Sequence, residues 1–279
     1  MLLGSTKTAP IGDDWVLEPK WDGYRFLFEL SPRGVRCWTR HGKRHDGKLR
    51  YIEEQLAEVF PHGAVLDGEL VALGRDEHGE VRHDFGRIGA VLGASYPHQP
   101  GADKPALHFV AFDLLGLEGR DLRDSPWLER REALDAHFDS SRENVSLTDT
   151  LPASEECHER LIAAGFEGSV YKRRDSRYAS GRRSTSWLKR KARHELEVVL
   201  RHLVRDGGRV ERAGCAIPAS DGRLVGVGWA EVWDPLVRDA LACAATAHEP
   251  TRAKVCFSSY SARGELRETR VTELSSQQA

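Results

Sequence analysis

The chain has 279 residues, 40% hydrophobic and 30% charged, with 41 basic against 43 acidic side chains and a formal net charge of −2. That is a soluble globular balance with enough apolar material for a real core, in two modest domains or one large one. No apolar run approaches the ~20 residues that cross a bilayer, and Met1-Leu2-Leu3-Gly4-Ser5 turns polar too soon for a secretory signal. Five widely spaced cysteines (Cys37, Cys157, Cys215, Cys243, Cys256) form no Cys-x-x-Cys pair. They argue against a zinc module or a disulfide scaffold and for reduced thiols in a cytoplasm.

Trp15 to Glu18 reads as a short strand leading into Glu18-Pro19-Lys20-Trp21-Asp22-Gly23-Tyr24-Arg25. A lysine followed by Asp, Gly and Arg at these spacings suits a nucleophilic amine that meets a phosphate. An ordinary lysine titrates near pH ~10.4, and bringing it to ~7 takes roughly 4–5 kcal/mol of desolvation or neighbouring positive charge. Gly23 is expected to let the backbone pass close to a ligand, and Arg25 offers a planar fork for phosphate oxygens. The bland alternative is a surface turn with a salt-bridged lysine.

Tyr24 to Leu30 alternates and Gly34 to Arg40 answers it, which predicts a hairpin with Arg40 at its end. His41 and His45 fall in a polar loop and are expected to be solvated. Tyr51 to Phe60 has helical spacing. Ala64 to Leu73 is a strand interrupted by Asp67-Gly68-Glu69. A polar stretch, a helix around Phe85 to Leu92 and a loop from Tyr96 to Pro105 follow, then an apolar strand from Leu107 to Leu115 carrying Asp113. Trp127 to Phe138 and Glu155 to Ala164 read as helices. Phe166 to Lys172 reads as a strand with Glu167 inside it, and Ser186 to Ala192 as another. Beyond Arg193, short strand candidates at Glu195–Val204, Cys215–Ile217, Leu224–Trp229 and Lys254–Ser259, with one helix from Pro235 to Thr246, fit a small β-barrel such as an OB-fold. The expected domains are 1–192 and 193–279.

Acids inside apolar strands (Asp67, Glu69, Glu167) cost desolvation energy unless they bind a cation or a ligand hydroxyl. Of these, Asp67 reads as structural, capping the turn beside Glu69. Lys189 and Lys191 share one face of a strand, and Phe112, beside Asp113, suits stacking on a base. From Lys172 to Arg193 ten basic residues are opposed within the stretch only by Asp175, the footprint of a phosphate-bearing partner unless acids elsewhere in the fold balance it. Lysine nucleophile, phosphate clamps, metal carboxylates and a stacking ring together describe nucleotidyl transfer through a lysyl-nucleotide intermediate.

The ordered motifs Glu-Pro-Lys-Trp-Asp-Gly-Tyr-Arg (18–25), Thr-Arg-His-Gly (39–42), Leu-Asp-Gly-Glu-Leu (66–70), Val-Ala-Phe-Asp-Leu-Leu (110–115), Glu-Gly-Ser-Val-Tyr-Lys (167–172) and Trp-Leu-Lys-Arg-Lys-Ala (187–192) resemble those of the ATP-dependent DNA ligases of the covalent nucleotidyltransferase superfamily. The nearest likeness is to bacterial forms, stand-alone or fused to end-joining enzymes. The resemblance implies an α+β fold: an ATP-grasp-like adenylation (nucleotidyltransferase) domain of antiparallel sheets and helices, followed by the OB-fold barrel. It implies Lys20 as the nucleophile taking AMP from ATP and Glu18 as reader of the adenine amino group. Arg25 and Arg40 would contact ribose and phosphates, Glu69 ribose or metal, and Glu167 a divalent metal, Mg or Mn. Phe112 would stack on adenine, with Lys189, Lys191 and Lys172 on phosphates. Nicked duplex DNA is the implied substrate, with a DNA-repair partner, in a monomeric cytoplasmic enzyme with no membrane association.

The chain departs from the family at its end. Gly264 to Val271 resembles the strand before the terminal Arg-x-Asp-Lys motif, but no Asp-Lys follows, and Arg267 and Arg270 are the nearest basic candidates. This places efficient self-adenylylation in question more than the later steps. The lysine turn sits almost at the start, so no extra N-terminal DNA-binding domain is expected. Competing readings are an RNA ligase or capping-type nucleotidyltransferase, and a non-catalytic DNA-end-binding module.

Overall fold

Pattern becomes structure first in the hairpin. In the computed structural model, which describes residues 1–10, 12–75, 81–83, 88–89, 92, 107–138, 142–244, 251–261 and 264–275, the chain divides into two compact units, Met1–Arg190 and Lys191–Ala279. The sequence-based boundary lies two residues later. The helix read around Phe85 to Leu92 falls mostly outside the described residues, and the loop from Tyr96 to Pro105 wholly so.

The first unit opens with β1 (Leu2–Ser5), β2 (Trp15–Pro19), β3 (Tyr24–Ser31), β4 (Gly34–Thr39) and α1 (Arg50–Val59). Next come β5 (Ala64–Arg75), β6 (Val81–His83), β7 (Leu107–Leu117), β8 (Arg120–Asp121) and α2 (Trp127–Asp135). It closes with β9 (Val145–Leu147), β10 (Leu151–Pro152), α3 (Glu155–Ala163), β11 (Gly168–Arg173) and β12 (Arg183–Lys191). One sheet runs β4-β3-β5-β7-β8, with β6 on β5 and β9 on β7; the other runs β1-β12-β11-β2-β10. Strand alternation sends Phe26, Phe28 and Leu30 of β3 into a core with Leu66, Leu70, Phe109 and the α1 residues Ile52, Leu56 and Val59. The same alternation leaves Arg25 and Leu27 on the opposite face, with Arg25 directly across from Glu69 and Leu27 across from Asp67.

The glycine between the two acids of β5 has a packing cause. A Cβ on Gly68 would lie 2.3 Å from the Phe109 ring and 2.5 Å from the Val110 carbonyl oxygen. Only glycine lets the core face of β5 close while Asp67 and Glu69 face the other way. At α3, Ser154 caps the helix by accepting the Cys157 N–H at 3.1 Å.

Two strand readings need correction. Glu167 does not lie inside a strand: the β2–β11 ladder ends at the Pro19–Ser169 pair, with one further bond from the Lys20 N–H to the Gly168 carbonyl. Glu167 therefore sits in the bend before β11, where its side chain is free of the sheet's alternation. β1 was not anticipated, because it forms by parallel pairing with β12, far along the chain.

The second unit comprises β13 (His194–Asp206), β14 (Arg209–Pro218), β15 (Leu224–Glu231), α4 (Pro235–Ala244), β16 (Thr251–Phe257), β17 (Ser259–Tyr260), β18 (Leu266–Arg267) and β19 (Thr269–Leu274). Five of these close a barrel in the order β13-β14-β15-β19-β16, with β15 and β19 parallel. Val198, Leu200, Val210, Val227, Val255 and Val271 fill it with Leu241 of α4. Among the described residues, no helix is long and apolar enough to cross a membrane.

Candidate active site

β2 carries Glu18, and the turn after it carries Lys20 and Gly23. The Lys20 backbone is tied to Gly168 by the 2.9 Å N–H bond, and Trp21 anchors the turn by donating Nε1–H to Thr148 Oγ1 at 3.0 Å. The Trp21 ring also meets Phe166 edge-on, centroids 5.0 Å apart. These contacts bring Lys20 Nζ into an ion pair with Glu167, both groups largely buried.

Gly23 permits a close approach, but to a neighbouring strand. A Cβ there would stand 2.4 Å from the Leu70 carbonyl oxygen and 2.9 Å from Glu69 Cγ. The lysine turn is thereby pressed onto β5 beside Glu69. Burial pushes the Glu69 carboxyl up to about 8; Lys20 and Arg25 oppose that rise, while Asp67 and Glu167 add to it.

Arg25 is held from three sides. Its Nε donates to Asp67 Oδ1 at 2.8 Å and its Nη2 to Asp67 Oδ2. Nη1 donates to the Met1 carbonyl at 2.5 Å, and Nη2 also reaches the Tyr178 hydroxyl at 3.0 Å. That hydroxyl donates in turn to Asp67 Oδ2 at 2.7 Å. Asp67 is buried, and although desolvation works against its charge, the paired guanidinium holds the carboxyl below its usual range. Arg40 is exposed, with its backbone N–H on the Arg25 carbonyl at 3.1 Å.

Glu18 forms a buried pair with Lys172, Nζ to Oε2 2.7 Å. The Lys172 ammonium also donates to the Phe112 carbonyl at 2.9 Å and lies 4.1 Å from the Trp187 ring centroid, 4.7 Å from Phe112 and 5.8 Å from Trp127. Burial pushes the Glu18 carboxyl up and the Lys172 ammonium down. Glu18 Oε1 is buried without a partner. Half-buried Phe112 has Lys172 on its ring and the Arg25 guanidinium 5.5 Å from its centroid. Its neighbour Asp113 is sealed in an ion pair with Arg130 at 2.8 Å, both side chains inaccessible to solvent.

Glu18, Lys20, Arg25, Glu69, Phe112, Glu167 and Lys172 thus lie within the first unit in linked contacts. Lys189 lies there too, on β12 opposite Ser5 of β1. Lys191 belongs to the second unit, where its ammonium meets Glu268 at 2.5 Å. Tyr178 and Trp127 were missed: neither stands in a recognised motif, and only the three-dimensional arrangement puts them against Arg25 and Lys172. Trp187 is buried packing, donating Nε1–H to Ser176 Oγ at 3.3 Å.

The basic stripe is partly neutralised by the fold. Lys172 meets Glu18, Arg173 meets Asp175, Arg190 meets Glu155 and Lys191 meets Glu268. Of the two terminal arginines, Arg270 stacks 3.5 Å over the Trp233 ring. The expectation for His45 fails: it is 3% exposed, packed against Phe26, and burial lowers its pKa.

Among the described residues no group of three or more His, Cys, Asp or Glu side chains forms a metal cage. Glu69 and Glu167 border Lys20 as a two-carboxylate set. That suits a hard divalent cation which keeps its waters and shares substrate phosphates. When Glu18 is ionised its unpartnered oxygen is purely an acceptor, which suits a ligand N–H donor.

Residues 5–191 match the family model of the ATP dependent DNA ligase domain, and the chain belongs to that family. The multifunctional non-homologous end joining protein LigD of Mycolicibacterium smegmatis is 33% identical over 248 residues, which is 86% of this chain and 30% of that protein. The protein of the same name from Pseudomonas aeruginosa is 35% identical over 201 residues, 71% of this chain and 22% of that one. The chain therefore spans less than a third of these curated relatives. A solved structure of mycobacterial DNA ligase D complexed with ATP and MES superposes with a TM-score of 0.60 at 28% identity, covering 100% of this chain and 95% of that one.

Proposed function

We propose that this chain is an ATP-dependent DNA ligase acting on nicked duplex DNA in end-joining repair. One observation carries the reading: Lys20, in the family's Lys-x-Asp-Gly-x-Arg turn, pairs with Glu167 and acts electrostatically on Glu69, two residues after a buried carboxylate with one unpartnered oxygen. Family membership and the end-joining relatives favour it over an RNA ligase or capping enzyme, and over a non-catalytic end-binding module.

In this mechanism Lys20 Nζ gives up its ammonium proton to solvent and, as the neutral amine, attacks the α-phosphorus of ATP, forming an N–P bond as the P–O bond to pyrophosphate breaks. AMP then passes to the 5′-phosphate of the nick, and the 3′-hydroxyl attacks that phosphate with release of AMP. Glu18 Oε1 accepts the adenine amino N–H and Phe112 stacks on the base. Lys172 serves Glu18 as its counter-ion rather than meeting a phosphate, because its ammonium is already bound at 2.7 Å. Arg25 and Arg40 meet the ribose and phosphates, and Lys189 and Lys191 the α-phosphate. Glu69 and Glu167 would hold a magnesium or manganese ion, which neutralises phosphate charge when bound.

Residues 1–192 form the adenylation domain and 193–279 an OB-fold. The strand order first-second-third-fifth-fourth, the parallel contact of third and fifth strands, and the helix between third and fourth support the latter. The enzyme works as a cytoplasmic monomer alongside a DNA-repair partner.

The test is incubation with α-labelled ATP and a divalent metal, followed by denaturation and a search for acid-labile label. Wild type is expected to carry it and Lys20→Ala to lack it. An unlabelled wild type that also fails to seal a pre-adenylylated nick defeats the reading.

A further inference from the structure

We propose that Tyr178 is a positioning residue of the nucleotidyl-transfer site, closing a hydrogen-bonded ring with Asp67 and Arg25 that leaves Arg25 a single N–H for a ligand. The inference rests on the proposed ligase reading and deepens it. A guanidinium has five N–H donors. Arg25 places one on each Asp67 oxygen, one on the Met1 carbonyl and one on the Tyr178 hydroxyl, so four are committed to the protein.

The ring is directional. Tyr178 accepts from Arg25 Nη2 at 3.0 Å and donates to Asp67 Oδ2 at 2.7 Å, which fixes the hydroxyl proton and gives Oδ2 a second donor beside Arg25 Nη2. The phenol is itself held. Its ring meets Trp187 edge-on at 5.9 Å, the Arg130 guanidinium lies 5.9 Å from its centroid, and its backbone N–H bonds the Arg123 carbonyl at 2.8 Å. Arg130 is in turn locked to Asp113. Tyr178 therefore transmits the rigidity of a buried cluster to a guanidinium that lies opposite Glu69 and 5.5 Å from the Phe112 ring. An arginine so committed is a fixed post for the nucleotide. It cannot present the two parallel donors by which arginine usually clamps a phosphate.

Tyr178→Phe removes the hydroxyl and keeps the ring packing. Single-turnover formation of the lysyl-AMP adduct, measured against ATP concentration, is expected to show a maximal rate about tenfold lower with half-saturation within about twofold of wild type. The thermal midpoint should stay within a few degrees. In an Arg25→Lys background, where the planar fork is already gone, Tyr178→Phe should add less than about twofold. A wild-type rate in Tyr178→Phe, a loss that follows a collapse in thermal midpoint, a weakened half-saturation with the maximal rate intact, or full additivity with Arg25→Lys would each overturn the assignment. A wild-type chain that neither takes AMP nor seals a pre-adenylylated nick removes the ligase reading and this inference together. An active wild type with an indifferent Tyr178→Phe removes this inference alone.

Discussion

Replacing Gly23 by alanine tests how the lysine turn is seated. The added methyl would stand 2.4 Å from the Leu70 carbonyl oxygen, 2.9 Å from Glu69 Cγ and 3.0 Å from Val71 Cγ1. The first neighbour is backbone inside a paired strand and cannot rotate away, so the turn must rise from β5 by roughly 0.6 Å even to reach 3.0 Å. Overpacking of this kind costs about 1–3 kcal/mol, a drop of roughly 3–10 °C in melting temperature for a chain of this size. The larger effect falls on chemistry, because the same displacement lifts Lys20 from its place beside Glu69 and Glu167. A misplacement near 1 Å costs on the order of 100-fold in rate. Single-turnover lysyl-AMP formation and a thermal melt, run side by side, measure both. Gly34→Ala is the control: its φ of +119° penalises alanine, but no atom lies within 4 Å of the new Cβ. It should lose stability and keep its rate. Gly23→Ala adenylylating within threefold of wild type, or Gly34→Ala losing as much, would refute the reasoning.

Arg130→Met should be among the most destabilising single changes, since it strands the Asp113 carboxylate at zero exposure; a loss of about 3–5 kcal/mol by denaturant unfolding is expected. The Glu69 carboxyl ionises near 8 in the folded chain against the usual 4.5, and a raised folded pKa lends stability that is complete below the unfolded value and lost as pH climbs towards 8. Without divalent metal, unfolding free energy should fall by about 2–5 kcal/mol across that window. The partial exposure of Glu69 favours the lower end. Glu69→Gln should flatten the fall, and parallel pH curves for the two proteins would contradict it. Ser154→Ala removes the cap of α3 and should cost about 1 kcal/mol with no change in adenylylation rate.

Local pattern was enough wherever one strand or helix faces one core. The β3–β4 hairpin, α1 and the apolar strand β7 were all readable from spacing, because alternation and 3.6-residue periodicity report burial directly. What spacing cannot report is the partner of a charge. Arg25 shows a free planar fork on paper; in the fold Asp67, 42 residues away, and Tyr178, 153 residues away, absorb most of it. Lys172 reads as a phosphate contact in the sequence, which gives no sign of the Glu18 carboxylate and three aromatic rings that the fold brings around it. His45 sits among polar neighbours in sequence and against Phe26 in space. β1 escaped notice for the same reason: its partner strand lies about 180 residues downstream. The carboxylates of β5 were readable as anomalies, since a charged residue inside an apolar strand needs a counter-ion or a ligand whatever the fold.

That anomaly divides in the folded chain into fixed and exchangeable charges. Asp113 with Arg130 and Asp67 with Arg25 are closed sets, each carboxylate bound by more than one donor and each nearly or fully removed from water. Ligand binding gains little by breaking them, because a separated partner would be left charged and desolvated. Lys20 with Glu167 and the Glu69 carboxyl retain some access to water, and Glu18 keeps one oxygen unpartnered. On the proposed reading, phosphate oxygens of a nucleotide would replace Glu167 as the partner of the Lys20 ammonium and a divalent cation would take up the carboxylate, so each charge would keep a partner. On the same reading, the unpartnered Glu18 oxygen would accept a hydrogen bond from the base. The closed pairs therefore set the frame, with one Arg25 N–H left over, and on the proposed reading a nucleotide would draw its binding energy mainly from the groups that can trade partners.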